Sequence, residues 1–163
     1  MKKIFFILST FLLIFILTAC SKSNSYRNDI PCSELAREIC DEADAAGGYS
    51  AYENDYINFL FDNSTLHDDC SVMYSTEVSD INEIGVFHCA NKDNSKSLAE
   101  SLTKYITDMQ TEQKAFISSY APRELPKLEN AEVHQYGNYV IYLVMSDDDK
   151  QDAIEEIEDT LKK

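Results

Sequence analysis

Glycine and positive charge are what this chain has least of. It carries four glycines in 163 residues, and 14 Lys and Arg against 29 Asp and Glu, a formal net charge of −15. Two of the glycines, Gly47 and Gly48, are adjacent, so little sharp-turn backbone remains and no glycine-rich loop exists to cradle a phosphate. The shortage of basic residues makes nucleic acid and anionic lipid head groups poor candidates for partners, because so acidic a surface repels phosphate, and no nucleic-acid partner is expected. Cationic partners or metal ions remain compatible with it. Histidine is scarce as well, with three in all. No nucleophile-elbow pattern accompanies them, so no catalytic residue is assigned and the chain is read as non-enzymatic.

Long apolar runs are also missing, with one exception at the start. Lys2 and Lys3 precede Ile4 to Leu17, an apolar stretch broken only by Ser9 and Thr10. A spanning helix needs ~20 apolar residues to cross ~30 Å of hydrocarbon, and the polar residues from Ser21 onward end the run short of that. The layout is a secretory signal. Leu17-Thr18-Ala19-Cys20 looks like the lipobox of bacterial lipoproteins. That likeness implies removal of residues 1–19, a diacylglyceryl group on Cys20, and a protein anchored in the cell membrane facing the extracytoplasmic side. Two acyl chains hold a protein stably where one holds it only marginally. Residues 20–29 follow as a lipidated cysteine and flexible tether, polar and without periodicity.

A single domain is expected over 30–163, a length that supports one core. Asp29 can cap a first helix in which Cys32, Leu35, Ala36, Ile39, Cys40 and Ala43 fall on one stripe, ending at Gly47-Gly48. Ser50 and Glu53 fit a capping box for a short second helix carrying Tyr52, Tyr56, Phe59 and Leu60. The tyrosines beside Gly47-Gly48 suit either a sugar or aromatic pocket or an apolar stripe with polar tips. Cys70 to Thr76 and Glu83 to Ala90 alternate as strands around a turn at Glu77 to Asn82. A long helix runs from Asn94 or Ser95 to just before Pro122, with Leu98, Leu102, Tyr105, Ile106, Met109, Phe116 and Ile117 on its buried face. Ala131 to Tyr136 and Tyr139 to Met145 form a second hairpin about Gly137-Asn138. Its second strand is apolar on both faces, which demands a central place. A last helix begins near Ser146 and buries Ala153, Ile154, Ile157 and Leu161. The fold class is α+β: a four-stranded, mainly antiparallel sheet from two ββα units, the later helices on one face, with an N-terminal helix pair.

Four cysteines remain beside Cys20. Cys32 and Cys40 lie ~12 Å apart on one helix, beyond the ~7 Å limit for bridging. If the first hairpin is symmetric about its turn, Cys70 faces Cys89, which makes them the candidate disulfide. His67-Asp68-Asp69-Cys70 with His88-Cys89 is the sole cluster of metal-ligand types. Neighbours His88 and Cys89 point to opposite strand faces, however, and no metal site or cofactor is assigned. Asp147, Asp149, Gln151 and Glu158 mimic a calcium loop, but Asp152 holds the place that needs glycine.

Glu83-Ile84-Gly85-Val86-Phe87, a long helix, Tyr120-Ala121-Pro122, Asn130-Ala131 and Tyr136-Gly137-Asn138-Tyr139-Val140 together resemble a family of bacterial lipoproteins defined only by a C-terminal domain of unknown function. The likeness runs from about Asp80 to Leu161. It implies export and this fold, and carries no functional residue with it. The expected role is therefore a membrane-anchored, non-enzymatic module binding a cell-envelope protein partner through tyrosine surface such as Tyr136, Tyr139 and Tyr142. The alternatives are a small-molecule or cation binder whose acidic field concentrates a positive ligand, and a hydrolase using His67 or His88 with a nearby aspartate.

Overall fold

The computed structural model describes residues 25–43, 48–61 and 65–162. The leader, Cys20, the first part of the tether, Gly47 and Asp62-Asn63-Ser64 lie outside the described residues. In chain order the elements are α1 (Cys32–Glu42), β1 (Tyr49–Ala51), α2 (Asn54–Leu60), β2 (Asp69–Ser75), β3 (Glu83–His88), α3 (Lys92–Glu112), α4 (Lys114–Tyr120), α5 (Leu125–Glu129), β4 (Glu132–Tyr136), β5 (Tyr139–Val144) and α6 (Asp147–Leu161). The strands form one antiparallel sheet in the order β1-β2-β3-β5-β4.

The mixed α/β class and the antiparallel sheet stand; the count of four strands does not. The fifth strand, β1, is an edge of only three residues, too short to show a period of two and lying where a capping box was expected. Ser50 is in that strand, and α2 starts beyond Glu53 with no side-chain cap. The helices divide between the two faces, also unlike the expectation. On one face α1 and α6 pack Leu35, Ile39, Ala153, Ile157 and Leu161 against Ile84, Val86, Tyr139 and Ile141. On the other, α2 and α3 pack Ile57, Leu98, Leu102 and Ile106 against Val72, Phe87, Val140 and Tyr142. β5, apolar throughout, is buried along its whole length between β3 and β4, because both faces of its strand meet a helical layer. Each fully buried Leu or Ile of these layers contributes ~1.5–3 kcal/mol relative to exposure.

The long helix breaks at Gln113 into α3 and α4. Ile117 is buried while Phe116 is 64% exposed, so the period restarts at the break. Asn91, rather than Asn94 or Ser95, caps α3 by accepting from the amides of Asp93 and Asn94. Ser146 caps α6 through the amide of Asp149, with the three acids of its first turn at the positive end of the helix dipole.

Helix α1 starts at Pro31 without a cap of its own. The amide of Cys32 donates instead to Asp69 Oδ2 of β2, at 2.8 Å. Asp29, the expected cap, pairs with Arg27. A carboxylate on an orphan N-terminal amide contributes ~1 kcal/mol. Asp69→Ala should therefore lower unfolding stability by about 1 kcal/mol, with Asp69→Asn recovering much of it. Unchanged denaturation midpoints in both variants would show that the bond is idle.

The domain also begins earlier than Ile30. The Arg27 amide donates to the Leu161 carbonyl at 2.8 Å, and the Tyr26 ring meets Tyr136 edge-on at 5.6 Å. Residues 26–29, expected as tether, lie against the folded unit.

Candidate functional site

Glu83 opens β3 on the face that also carries Gly85 and Phe87, the face covered by α2 and α3. An acid in that register is carried inward with its apolar neighbours. Three phenols meet it there. Tyr142 of β5 donates to Oε1 at 2.7 Å, Tyr105 of α3 donates to the same oxygen at 3.1 Å, and Tyr52, just before α2, donates to Oε2 at 3.4 Å. The Tyr142 ring reaches this position by lying across Gly85, its direct partner in the ladder. A Cβ at residue 85 would clash with the ring, 2.6 Å from Cζ and nearer still to Cε1.

The carboxylate lies at the base of a cleft of about 260 Å³. Tyr52 stands between Tyr74, stacked at 4.4 Å, and Tyr56 at 4.8 Å. Leu60, Met109, Ile117, Leu128 and Val144 complete an apolar wall. None of the lining residues is Lys, Arg or His. Asp80 lines the edge and is neutralised by Lys127 at 2.7 Å, which also contacts Glu124 at 2.7 Å.

Enclosure governs the electrostatics. Burial pushes the Glu83 carboxyl above its ordinary value, and the phenol hydrogen bonds from Tyr142, Tyr105 and Tyr52 pull back only part of that shift. The three phenols are pushed upward in turn, by burial first and by the Glu83 charge second. They stay protonated donors across the physiological range. The arrangement offers a cation or hydrogen-bond donor a carboxylate surrounded by aromatic faces. The three phenols nearest Glu83 already donate to it, and no lining residue carries a positive charge for an anion.

Of the residues singled out in the sequence, Tyr52 and Tyr56 do line a cleft, whereas Tyr49 turns to the opposite face and accepts from Asn82 Nδ2 at 3.0 Å. Tyr136, Tyr139 and Tyr142 form no partner surface: they are 6%, 0% and 0% exposed, because β5 is interior and Tyr136 lies under Tyr26. Cys70 and Cys89 are not opposite each other. Cys70 pairs with Phe87, since Ser75 and Asn82 close the turn by a 2.9 Å hydrogen bond and centre it one residue earlier than symmetry about Glu77–Asn82 places it. The two cysteines share a face as diagonal neighbours, at ~7–8 Å for such positions, and both are free thiols. Burial pushes the Cys89 thiol up to about 11, with Asp68 adding to it. It behaves as a small apolar group in the core.

The histidines are apart. His67 meets Phe87 edge-on at 5.3 Å, with its Nε2 unpartnered and its pKa lowered by burial. His88 lies between Asp68 Oδ1 at 2.5 Å and Asn28 Oδ1 at 2.8 Å. His134 pairs with Glu132. Among the described residues no three His, Cys, Asp or Glu side chains converge on a metal position.

Glu83 and Tyr105 were legible only as a strand start and a buried helix position. The one signal for the site is that Glu83 shares a period-two face with Phe87, so its carboxylate must go inward and find partners.

Fold and site together define a mixed α/β domain with an antiparallel sheet, helices on both faces and a tyrosine-lined cleft at one end of its central strands. The chain belongs to the family described as Domain of unknown function (DUF4358), whose model matches residues 52–145, more than half of its length. That match begins earlier than the resemblance read from Asp80 onward, taking in α2 and β2, and it ends before α6. No curated protein and no solved structure matches the chain.

Proposed function

We propose that this chain is a membrane-anchored extracytoplasmic lipoprotein, attached through Cys20, that holds a small ligand in its tyrosine-lined cleft without transforming it. The anchor rests on Lys2-Lys3, the apolar run Ile4 to Leu17 and the Leu17-Thr18-Ala19-Cys20 ending. Among the described residues no helix is long and apolar enough to cross a membrane, which is compatible with a lipid anchor. The observation that carries the binding role is the enclosed Glu83 carboxylate at the base of an open aromatic cleft. A buried acid is tolerated only with its hydrogen bonds satisfied, and a concave apolar site with a few convergent polar groups is the form that ligand sites take.

A second reading, docking of a cell-envelope protein, is favoured by Phe59, Phe116 and Tyr120, which are 81%, 64% and 77% exposed on α2 and α4. These helices also supply Tyr56, Leu60 and Ile117 to the cleft wall, so a docked protein would cover the ligand.

Cys20→Ser should move the chain from the membrane to the soluble fraction and abolish incorporation of labelled fatty acid; retention with unchanged labelling would remove the anchor from the proposal. Native mass spectrometry of the full chain, taken gently from its own membranes in non-ionic detergent, tests the cleft. A bound organic mass that is absent from Tyr52→Leu supports it, and a bare polypeptide mass that also shows no binding in a small-molecule screen opposes it.

A further inference from the structure

We infer that the cleft selects a small organic ammonium ion, with its N–H groups on Glu83 and its carbon skeleton against the tyrosine faces. This rests on the reading of the cleft as the ligand site and names the ligand's class. The first ground is the uneven use of the carboxylate. Oε1 takes the phenols of Tyr142 and Tyr105 at 2.7 and 3.1 Å, whereas Oε2 keeps only the long bond from Tyr52 at 3.4 Å. A carboxylate has about four lone-pair sites, so Oε2 can accept a further donor from the cleft.

The second ground is the aromatic surround. A cation within ~6 Å of a tyrosine face is attracted to it, more strongly when desolvated. The stacked pair Tyr52 and Tyr74, with Tyr56 tilted against Tyr52, supplies such faces, and Tyr56 at 46% exposure stands at the mouth. The third is what the cleft lacks. No lining residue is a cation, and Lys127 beside it is engaged by Asp80 and Glu124, so nothing repels a positive ligand. At Glu83 itself a neutral hydroxyl gains less than an ammonium, because the three phenols beside the carboxylate already donate to it and leave only an acceptor site. The volume of about 260 Å³ falls below the ~300–1,000 Å³ of drug-sized pockets, which restricts the ligand to a small amine. The net charge of −15 raises the local concentration of such cations.

Binding should be linked to ionisation of Glu83. The groups facing it are the phenols of Tyr52, Tyr105 and Tyr142, all protonated donors, and at the cleft edge the Asp80–Lys127 pair. The carboxyl lies above its ordinary range, so affinity should rise with pH as Glu83 loses its proton, and one proton should be released per ligand bound where Glu83 is still protonated.

The test is a calorimetric titration of the full chain in non-ionic detergent with n-butylammonium chloride as probe, against n-butanol as its neutral counterpart and potassium chloride as the salt control. The expected result is saturable binding of the ammonium alone. It should weaken at least tenfold in Glu83→Gln and lose its pH dependence there, and weaken several-fold in Tyr56→Leu, whose exposed ring can be removed without opening the core. Equal binding of butanol and butylammonium, with both lost in Tyr56→Leu, would overturn the ammonium selectivity and leave the cleft as a site for neutral ligands. Ammonium binding indifferent to both substitutions would place the cation elsewhere and overturn the inference. Failure of both probes to bind the wild-type chain, with a bare native mass, would overturn the inference and the cleft reading together.

Discussion

Replacing Gly85 by alanine should be among the most damaging single changes in this domain, although it adds one methyl group. Residue 85 lies in β3 between Val72 and Tyr142, and its backbone is not among the positive-φ glycines, so the cost is not conformational strain at residue 85 itself. It is steric: the new Cβ would overlap the Tyr142 ring, and that ring is 0% exposed, held between β3 and the helices that cover its face. Overpacking a filled core costs ~1–3 kcal/mol, and here it also pulls the Tyr142 hydroxyl from Glu83. We expect a loss of about 3 kcal/mol, or roughly 10 °C in Tm for a domain of this size. A double-mutant cycle identifies the cause. In a Tyr142→Ala background the added cost of Gly85→Ala should nearly vanish, and persistence of the full penalty would locate the damage elsewhere.

Substitutions at Glu83 should separate two roles of its carboxyl, accepting phenol hydrogen bonds and carrying a buried charge. Glu83→Ala removes both. Tyr52 and Tyr105 line the open cleft and can turn their hydroxyls to water, but Tyr142 cannot, and a buried polar group without a partner costs ~1–3 kcal/mol. We expect Glu83→Ala to lose about 3 kcal/mol in all, once the truncated side chain is included. Glu83→Gln keeps an oxygen for Tyr142 and Tyr105 and discards the charge. Because the folded carboxyl lies above its ordinary value, the folded chain binds a proton that the unfolded chain has released. Its contribution is fully present below the ordinary carboxylate value and is lost as pH rises through the folded value. Glu83→Gln should thus match the wild type in acid and be at least as stable at neutral pH, the difference growing with pH through that window. Asp80, whose carboxyl is lowered against burial by its bonds to Lys127 and Ser75, works in the opposite sense and cancels in the comparison. Denaturant unfolding from pH 4 to 8 supplies the curves. A wild type that gains stability on Glu83→Gln as pH rises, relative to the variant, would reverse the sign and refute the buried-charge account.

The parts of the fold readable in the sequence are those whose information is local. The α1 stripe of Cys32, Leu35, Ala36 and Ile39 is buried as its 3.6-residue spacing requires. Gly137 at φ +64° turns the β4–β5 hairpin, and Ser146 caps α6. The apolar run of β5 announced an interior strand. What failed involved partners distant in the chain or segments too short to show a period. β1 has three residues and exists because β2 offers it a ladder. The α3–α4 break at Gln113 shifts the buried face by less than a turn, which leaves Phe116 outside. The Cys70–Cys89 match depended on a turn whose centre is set by the Ser75–Asn82 bond, and a shift of the turn by one residue moves every pairing by two.

The candidate site divides the same way. Tyr52 and Tyr56 could be named from their clustering, and the acidic balance pointed toward cations. Tyr105 looked like a core position, Tyr142 like part of a partner surface and Glu83 like the edge of a strand. Their meeting is a property of the tertiary fold: β3 carries Glu83 inward, β5 brings Tyr142 opposite Gly85, and α3 lowers Tyr105 onto the same face.

By itself, the order of residues determined the acidic charge balance, the leader layout on which the proposed anchor at Cys20 rests, the positions of most helices and strands, and an interior β5, because charge, leader layout and periodicity are properties of neighbouring residues. The tertiary structure alone decided which face each helix covers, that Asp69 caps α1 from another strand, that Tyr136, Tyr139 and Tyr142 are core rather than surface, and that one carboxylate collects three phenols beneath a cleft. These depend on contacts between residues tens of positions apart, whose energies exist only once the chain has closed on itself.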